Sequence, residues 1–82
     1  MFKFVFTQRA LRDLETIDMG TQRRIALKLR EYAEEPLRNA RKLIHPKIGT
    51  YRFRIGDYRV IFDVDDGTIV VLRIGHRSTI YK

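Results

Sequence analysis

The chain has 82 residues, the length of one small domain, which excludes a multi-domain enzyme with separate cores. It contains no Cys and two His, so disulfide bonds, thiolate metal sites and a cysteine nucleophile are excluded, and a metal site built from His is not expected. The net charge of +7 is high for this length and favours a polyanionic partner: nucleic acid, an acidic protein or an anionic membrane.

The positive charge lies in the second half of the chain. Residues 1–36 carry seven Lys or Arg against six Asp or Glu, whereas residues 37–82 carry ten against four, a net charge of +6. No apolar stretch has the length of a signal peptide core or a membrane span. We therefore expect one domain over residues 1–82, located in the cytoplasm and without membrane contact.

The first residues have the pattern of a strand followed by a helix. Phe2, Phe4 and Phe6 alternate with other residues, which predicts a short strand. Thr7 is placed to cap a first helix, which Asp18-Met19-Gly20 should end. The apolar residues of this helix fall three and four positions apart: Ala10, Leu11, Leu14 and Ile17.

A second amphipathic helix follows, for which Thr21 is the predicted N-cap. Ile25, Leu29 and Tyr32 form its apolar stripe, and Pro36 should end it. The two helices are expected to form a hairpin.

From residue 51 onward the period of the apolar residues changes from helical to two. Three strands are predicted, over residues 51–55, 58–64 and 68–74, joined by turns at Gly56-Asp57 and at residues 65–67. The last strand is apolar on both faces and is therefore expected inside the sheet. The predicted fold class is α+β: an N-terminal strand, a two-helix hairpin, and a three-stranded antiparallel meander that completes a small sheet packed on the helices.

The length of each turn decides which side chains share a face of the sheet. A two-residue loop at Gly56-Asp57 places Arg54 directly opposite Arg59. At the second turn, a two-residue loop would direct the large apolar residues of the last strand toward the arginines. We favour a three-residue loop over residues 65–67, which directs those residues to the helices and gives Gly67 a positive φ. This register pairs Phe62 with Val70 and Val60 with Leu72.

The side of the sheet away from the helices is called the arginine face. It collects Arg52, Arg54, Arg59 and Arg73, with Ile61 and Val71 between them. Like charges directly opposite each other destabilise a sheet by about 0.2 to 1 kcal/mol per pair, so folding does not require this arrangement. A single arginine is explained by an ordinary solvent-facing position, but four together favour a polyanionic ligand, since guanidinium groups bind phosphate and carboxylate in bidentate fashion.

The C-terminal segment supplies groups that can act on such a ligand. His side chains exchange protons near neutral pH, Arg can hold a phosphate, and Tyr offers a hydroxyl or a stacking ring, which makes candidates of His76, Arg77 and Tyr81. Each alone also fits an ordinary role, such as a surface His or a Tyr that covers the core. The sequence has no Gly-rich phosphate loop, paired-carboxylate site or metal-spaced cluster, which predicts metal-independent chemistry without a cofactor.

Two segments and a terminal tyrosine resemble the RelE toxins of the RelE/ParE toxin-antitoxin superfamily: GTYRFRIGDYRVIF at residues 49–62, VLRIGHR at residues 71–77, and Tyr81. The resemblance covers the whole chain in the order of its elements. It implies a RelE-like toxin that enters the ribosomal A site and cleaves the mRNA there, an endoribonuclease of the mRNA interferase type that inhibits translation. It also implies a cognate antitoxin that holds the toxin inactive.

The resemblance assigns residues as well. Arg52, Arg54 and Arg59 fall on basic positions of the family's motif, Arg77 on the arginine after its Gly-His or Gly-Lys pair, and Tyr81 on the C-terminal tyrosine. We predict that catalysis uses Arg54, Arg59, Arg77, Tyr81 and His76, and that RNA binding uses Arg52, Arg73, Lys47 and Lys42. Some members carry lysines at the first two positions. Because arginine stays protonated, any proton transfer made by a lysine there must pass to another group in this chain.

Two other functions are compatible with the same residues. A ParE-like toxin inhibits DNA gyrase by protein contact and cleaves no RNA, although the Gly-Asp-Tyr-Arg segment and Tyr81 favour the RelE side. The other alternative is a non-catalytic module whose basic face binds ribosomal RNA or an acidic partner.

Overall fold

The computed structural model describes residues 1–44 and 48–81. Its elements are β1 (Lys3–Phe6), α1 (Gln8–Glu15), α2 (Met19–Tyr32), a short 3-10 helix (Pro36–Arg38), β2 (Ala40–Lys42), β3 (Tyr51–Ile55), β4 (Tyr58–Asp65) and β5 (Thr68–His76). The strands form one sheet in the order β1-β5-β4-β3-β2, in which β1 runs parallel to β5 and the other neighbours are antiparallel. The predicted α+β class, with β5 inside the sheet, is confirmed.

The caps of the two helices agree with the prediction in one case and differ in the other. Thr7 caps α1, since its side-chain oxygen accepts a hydrogen bond from the Ala10 N–H at 3.1 Å. The predicted cap at Thr21 is wrong: Asp18 caps α2 and accepts from the Thr21 N–H at 2.9 Å. Because α1 already ends at Glu15, the chain reaches Asp18 first, and Met19 opens α2 instead of following α1. The hydrogen bonds from Thr21 lower the pKa of Asp18.

The core lies between the helices and one face of the sheet. Its centre is the stacked pair of Phe53 and Phe62, with ring centroids 4.3 Å apart. The helices contribute Ala10 from α1 and Ile25 and Leu29 from α2, which pack against this face of the sheet. No helix in the described parts of the chain is long and apolar enough to cross a membrane.

The β3–β4 hairpin has the predicted register. A two-residue turn at Gly56-Asp57, with Gly56 at φ 60°, places Arg54 opposite Arg59 and Arg52 opposite Ile61. The arrangement of like charges across the hairpin is therefore present in the fold.

The β4–β5 hairpin has a different register from the one predicted. Asp65 pairs with Thr68, so the turn is a two-residue loop in which both Asp66 and Gly67 have positive φ, at 43° and 80°. The three-residue loop is therefore wrong, although the positive φ of Gly67 is as predicted. Phe62 faces Val71 instead of Val70, and Val60 faces Ile74 instead of Leu72.

A β-bulge at Leu72 reconciles this turn with an apolar core. Phe62 pairs with Val71 but Ile61 pairs with Arg73, so Leu72 is the extra residue. Before the bulge, Ile69 and Val71 point to the core, which corrects the prediction of Val71 on the arginine face. After the bulge the alternation is shifted by one residue, and Ile74 points to the core as predicted.

The sequence analysis did not predict β2. It pairs antiparallel with β3, with Ala40 opposite Phe53 and Lys42 opposite Tyr51, and forms the outer edge of the sheet. Three residues are too few to show an alternating pattern.

Gly49 provides the first testable prediction. It is buried against the arginine-face side of β4 and β5, where a Cβ would collide with Ile61 Cγ2 and lie 3.1 Å from Leu72 Cδ1. Gly49→Ala is therefore expected to lower the free energy of unfolding by about 1–3 kcal/mol through overpacking. Urea denaturation measures the change, with Gly20→Ala in the first turn of α2 as the control: a Cβ there meets the exposed Asp18 carboxylate at 3.3 Å, and the higher helix propensity of Ala should keep the midpoint at or above the native one. A native midpoint for Gly49→Ala would contradict the close contact.

Candidate active site: an arginine-lined cleft

An open cleft of about 520 Å³ lies where β3 and β4 meet the C-terminal segment. Its lining residues are Arg52, Arg59, His76, Arg77, Ser78 and Tyr81. Four of the five predicted catalytic residues thus line one cleft, together with Arg52 of the predicted RNA-binding set. We call this the arginine cleft.

Arg59 forms the floor of the arginine cleft. Its side chain is only 8% exposed, and Nη1 donates to the carbonyl oxygens of Gly56 and Tyr58, both at 3.0 Å. These two bonds use both hydrogens of Nη1 and leave the three N–H groups on Nε and Nη2. The guanidinium is therefore held in place with donors to spare.

The surroundings of Arg59 disfavour the positive charge of its guanidinium. Burial lowers the pKa of Arg59, and the positive charges of Arg54 and Arg52 lower it further. Arginine nevertheless remains protonated at physiological pH. An anion placed in the cleft relieves this repulsion, so the electrostatics favour a bound phosphate or carboxylate.

The segment after β5 is anchored by Ile80 and by backbone hydrogen bonds. Ile80 is 3% exposed and covers Gly75, where a Cβ would lie 2.9 Å from Ile80 Cδ1. The N–H groups of Thr79 and Ile80 both donate to the His76 carbonyl, at 3.0 and 2.9 Å. Tyr81 follows directly and is held at the cleft with half of its surface exposed.

Arg77 is tied to the β3–β4 turn. Its N–H donates to the Asp57 carbonyl at 2.8 Å, and its Nε lies 3.6 Å from Asp57 Oδ1. Both side chains are well exposed, so this ion pair is weak and does not prevent Arg77 from binding an anion.

The His76 ring is fixed by its neighbours. Ser78 donates its backbone N–H to Nδ1 at 3.1 Å, and the Ser78 hydroxyl lies 2.8 Å from the same atom. Because a backbone N–H can only donate, Nδ1 is the acceptor and the neutral ring carries its proton on Nε2. The ring also stands edge-on to Tyr58, with centroids 5.5 Å apart.

Three of the other predicted residues lie elsewhere, and the fourth falls outside the described residues. Arg54 is exposed on the arginine face opposite Arg59 but does not line the cleft. Arg73 is engaged by Asp13 of α1, with 2.8 Å between Nε and Oδ2. Lys42 lines a neighbouring cleft, and Lys47 lies outside the described residues. In the described ranges no three His, Asp or Glu side chains cluster as a metal ligand set.

The neighbouring cleft was missed by the sequence analysis because β2 was not predicted. It measures about 700 Å³ and is lined by Arg41, Lys42, Leu43, Ile44, Ile48, Arg52 and Tyr81. Although it is the larger of the two, it shares only Arg52 and Tyr81 with the predicted site. It therefore extends the arginine cleft along the sheet.

Comparison with known proteins identifies the class. Residues 4–81 match the family described as ParE toxin of type II toxin-antitoxin system, parDE. The chain is 37% identical to toxin RelG of Mycobacterium tuberculosis, over 94% of the chain and 92% of the relative. It is 32% identical to toxin RelE3 of Methanocaldococcus jannaschii, over 96% of the chain and 94% of the relative.

Two solved structures have the same fold. The toxin-antitoxin complex RelBE2 from Mycobacterium tuberculosis contains a chain with a TM-score of 0.70 and 35% identity, covering 93% of this chain and 98% of that one. The RelB-RelE antitoxin-toxin complex from Methanococcus jannaschii gives a TM-score of 0.73 and 27% identity, with 94% of each chain covered.

The fold and these relationships define a toxin of a type II toxin-antitoxin system. Within that class the chain belongs to the RelE/ParE superfamily, as a RelE-type toxin.

Proposed function

We propose that this toxin is a ribosome-dependent mRNA endonuclease that cleaves mRNA in the ribosomal A site and so inhibits translation in the cytoplasm. The observation that carries the proposal is the arginine cleft, where the fixed guanidinium of Arg59 lies with Arg52, Arg77, His76 and Tyr81 around space for a phosphate. The similarity to toxins named RelG and RelE3 supports the same conclusion.

The proposed reaction is metal-independent attack by the 2′-OH on the adjacent phosphate. The bond between O2′ and phosphorus forms, the bond between phosphorus and O5′ breaks, and the products are a 2′,3′-cyclic phosphate and a 5′-OH. The proton lost by the 2′-OH goes to a base, and O5′ gains a proton as it leaves. The phosphorane between these states carries extra negative charge that cations must stabilise.

The residues divide this work by chemical type. Arg59 and Arg77 hold the phosphate and stabilise the added charge, with Arg54 and Arg52 adding positive potential from the adjacent strand. The arginines cannot exchange the protons because they stay protonated. Tyr81 therefore positions or deprotonates the 2′-OH, and His76 is the second candidate for proton transfer, through Nε2.

The experiment is inducible expression followed by mapping of mRNA ends. Codon-phased cuts that carry 5′-OH ends, together with arrest of translation, are the expected result. Binding to ribosomes without any cleavage product would replace the nuclease by the non-catalytic RNA-binding function.

A cognate antitoxin is the proposed protein partner, together with the ribosome and mRNA. Both structural neighbours are described as toxin-antitoxin complexes. We propose that an amphipathic helix or strand of the antitoxin covers the helices and a sheet edge and keeps RNA from the arginine face. Co-expression with the neighbouring open reading frame should yield a complex with a small acidic protein, and its absence would count against this partner.

Inhibition of DNA gyrase is the second candidate, because the matching family is described by its ParE member. The same expression experiment separates the two functions. DNA damage with intact mRNA would identify gyrase as the target, whereas codon-phased mRNA cuts identify the ribosome.

A further inference from the structure

Asp13 connects α1 to the far end of β5, outside the arginine cleft. β1 pairs with β5 only as far as Val71, so beyond that point no strand among the described residues pairs with the outer edge of β5. Thr7 satisfies the next carbonyl, its hydroxyl donating to Leu72 O at 3.2 Å. Asp13 then accepts from the Ile74 N–H at 2.9 Å and from Arg73 Nε at 2.8 Å, both through Oδ2. Its side chain is only 14% exposed.

These contacts lie beside the β-bulge that sets the register of the end of β5. Without the bulge at Leu72, Arg73 would face Val60 in the core and Ile74 would face Arg59 on the arginine face. A bulge disrupts the ladder of hydrogen bonds on its strand, and an unsatisfied backbone N–H at a partly buried edge is costly. Asp13 supplies the acceptor that the missing strand does not.

The register at this end of β5 in turn positions Tyr81. With the bulge in place, Gly75 lies opposite Arg59 on the arginine face. Because Gly75 has no side chain, Ile80 packs over it and holds Tyr81 at the cleft. A slip of one residue would put the Ile74 side chain beside Arg59 and leave no place for Ile80.

We propose that Asp13 is a positioning residue for the reaction in the arginine cleft, acting through its hydrogen bond to the Ile74 N–H and thereby through Gly75 and Ile80 on Tyr81. The inference rests on the proposed nuclease function. Asp13 does not line the arginine cleft. Its ion pair with Arg73 is secondary, because Arg73 is not in the chain of contacts that leads to Tyr81.

The test compares full-length variants in cleavage of A-site mRNA on programmed ribosomes. Asp13→Ala is expected to lower kcat on the order of 100-fold with KM unchanged, since small displacements of catalytic groups have effects of this size. Asp13→Asn keeps an oxygen acceptor for the Ile74 N–H and should stay within about threefold of the native kcat. Arg9→Met removes the exposed ion pair between Arg9 Nε and Asp13 Oδ1, at 3.7 Å, and leaves the Ile74 hydrogen bond in place, so it should keep the native kcat.

Two controls separate positioning from loss of stability. Asp18→Ala removes the exposed N-cap of α2 and should lose stability without losing kcat. Asp13→Glu keeps the charge but moves the carboxylate by one methylene, and should lower kcat even if Asp13→Ala does not fold. The Ile80 methyl resonance, read by NMR, should shift in Asp13→Ala and stay native in Asp18→Ala.

Each alternative outcome overturns the inference. A native kcat in folded Asp13→Ala or in Asp13→Glu would do so. Equal losses of kcat in Asp13→Ala and Asp18→Ala, compared at matched stability, would also overturn it. If Asp13→Asn and Asp13→Ala lower kcat equally, the hydrogen bond to the Ile74 N–H is not the cause of the loss. If the native toxin cleaves no mRNA, the proposed function fails, and an unchanged Ile80 resonance in Asp13→Ala would separately overturn the positioning role.

Discussion

Arg59→Lys is expected to lower the rate of mRNA cleavage by about 100- to 1,000-fold and to abolish growth arrest while the chain stays folded. Native Arg59 donates two N–H groups to Gly56 O and Tyr58 O and keeps three others, on Nε and Nη2, for a ligand in the cleft that it lines. A lysine ammonium has three N–H groups on a single nitrogen and cannot serve both the turn and a phosphate. The positive charge is therefore kept while the second set of donors is lost.

Single-turnover cleavage on programmed ribosomes measures this prediction, and urea denaturation measures the fold. Loss of one hydrogen bond to the turn should cost only about 1 kcal/mol of unfolding free energy. Arg38→Lys is the matched control, because Arg38 is exposed and its guanidinium pairs with the exposed Glu35, at 3.5 Å, away from the arginine cleft. A native cleavage rate in folded Arg59→Lys would show that charge alone suffices and that the donor geometry is not used.

The sequence determines much of the arginine cleft because strand pairing follows a simple parity. The Gly56-Asp57 turn has the two residues expected from its composition, so the opposition of Arg54 and Arg59 was predictable. His76 is the last residue of β5 and Arg77 follows it directly, and in a meander this end of β5 lies beside the start of β4. The proximity of these residues therefore follows from the turn length and the strand order, both of which the local sequence predicts.

The register of β5 could not be predicted because two features offset each other. The true turn is one residue shorter than predicted, and the bulge at Leu72 restores the alternation after it. The segment from Ile69 to Leu72 is apolar on both faces and therefore fits either register. Asp13, which accepts a hydrogen bond from the Ile74 N–H just after the bulge, lies 61 residues away from Ile74 in the chain, so no local pattern indicates this contact.

Arg73 shows the limit of assigning function from the face of a strand. Its pairing with Ile61 puts it on the arginine face, yet its guanidinium turns to Asp13 at the sheet edge. Nothing in the local sequence shows that α1 places a carboxylate there. Long arginine side chains reach several ångströms from their Cα. The alternation of a strand therefore predicts the face on which the backbone presents an arginine more reliably than the position of its guanidinium group.

Tyr81→Phe is expected to lower kcat by about 100- to 10,000-fold with little change in KM, the range typical for loss of a proton-transfer group. The phenylalanine ring keeps the surface on which a base can stack, so binding is retained. The fold should also be retained, since Ile80 carries the packing of this segment and Tyr81 is 50% exposed. Cleavage at saturating and limiting ribosome concentrations separates the two parameters.

Tyr81→Ala distinguishes the hydroxyl from the ring. It should lose the same factor in kcat and in addition raise KM, because stacking on an aromatic ring contributes about 1–3 kcal/mol per base. If Tyr81→Phe instead keeps the native kcat while Tyr81→Ala loses binding, the tyrosine acts only as a stacking surface. The 2′-OH proton must then leave through another group, and His76 is the remaining side chain in the cleft that exchanges protons, since the arginines do not. His76→Gln, which keeps a hydrogen-bonding side chain but cannot be protonated, would then lower kcat where Tyr81→Phe does not.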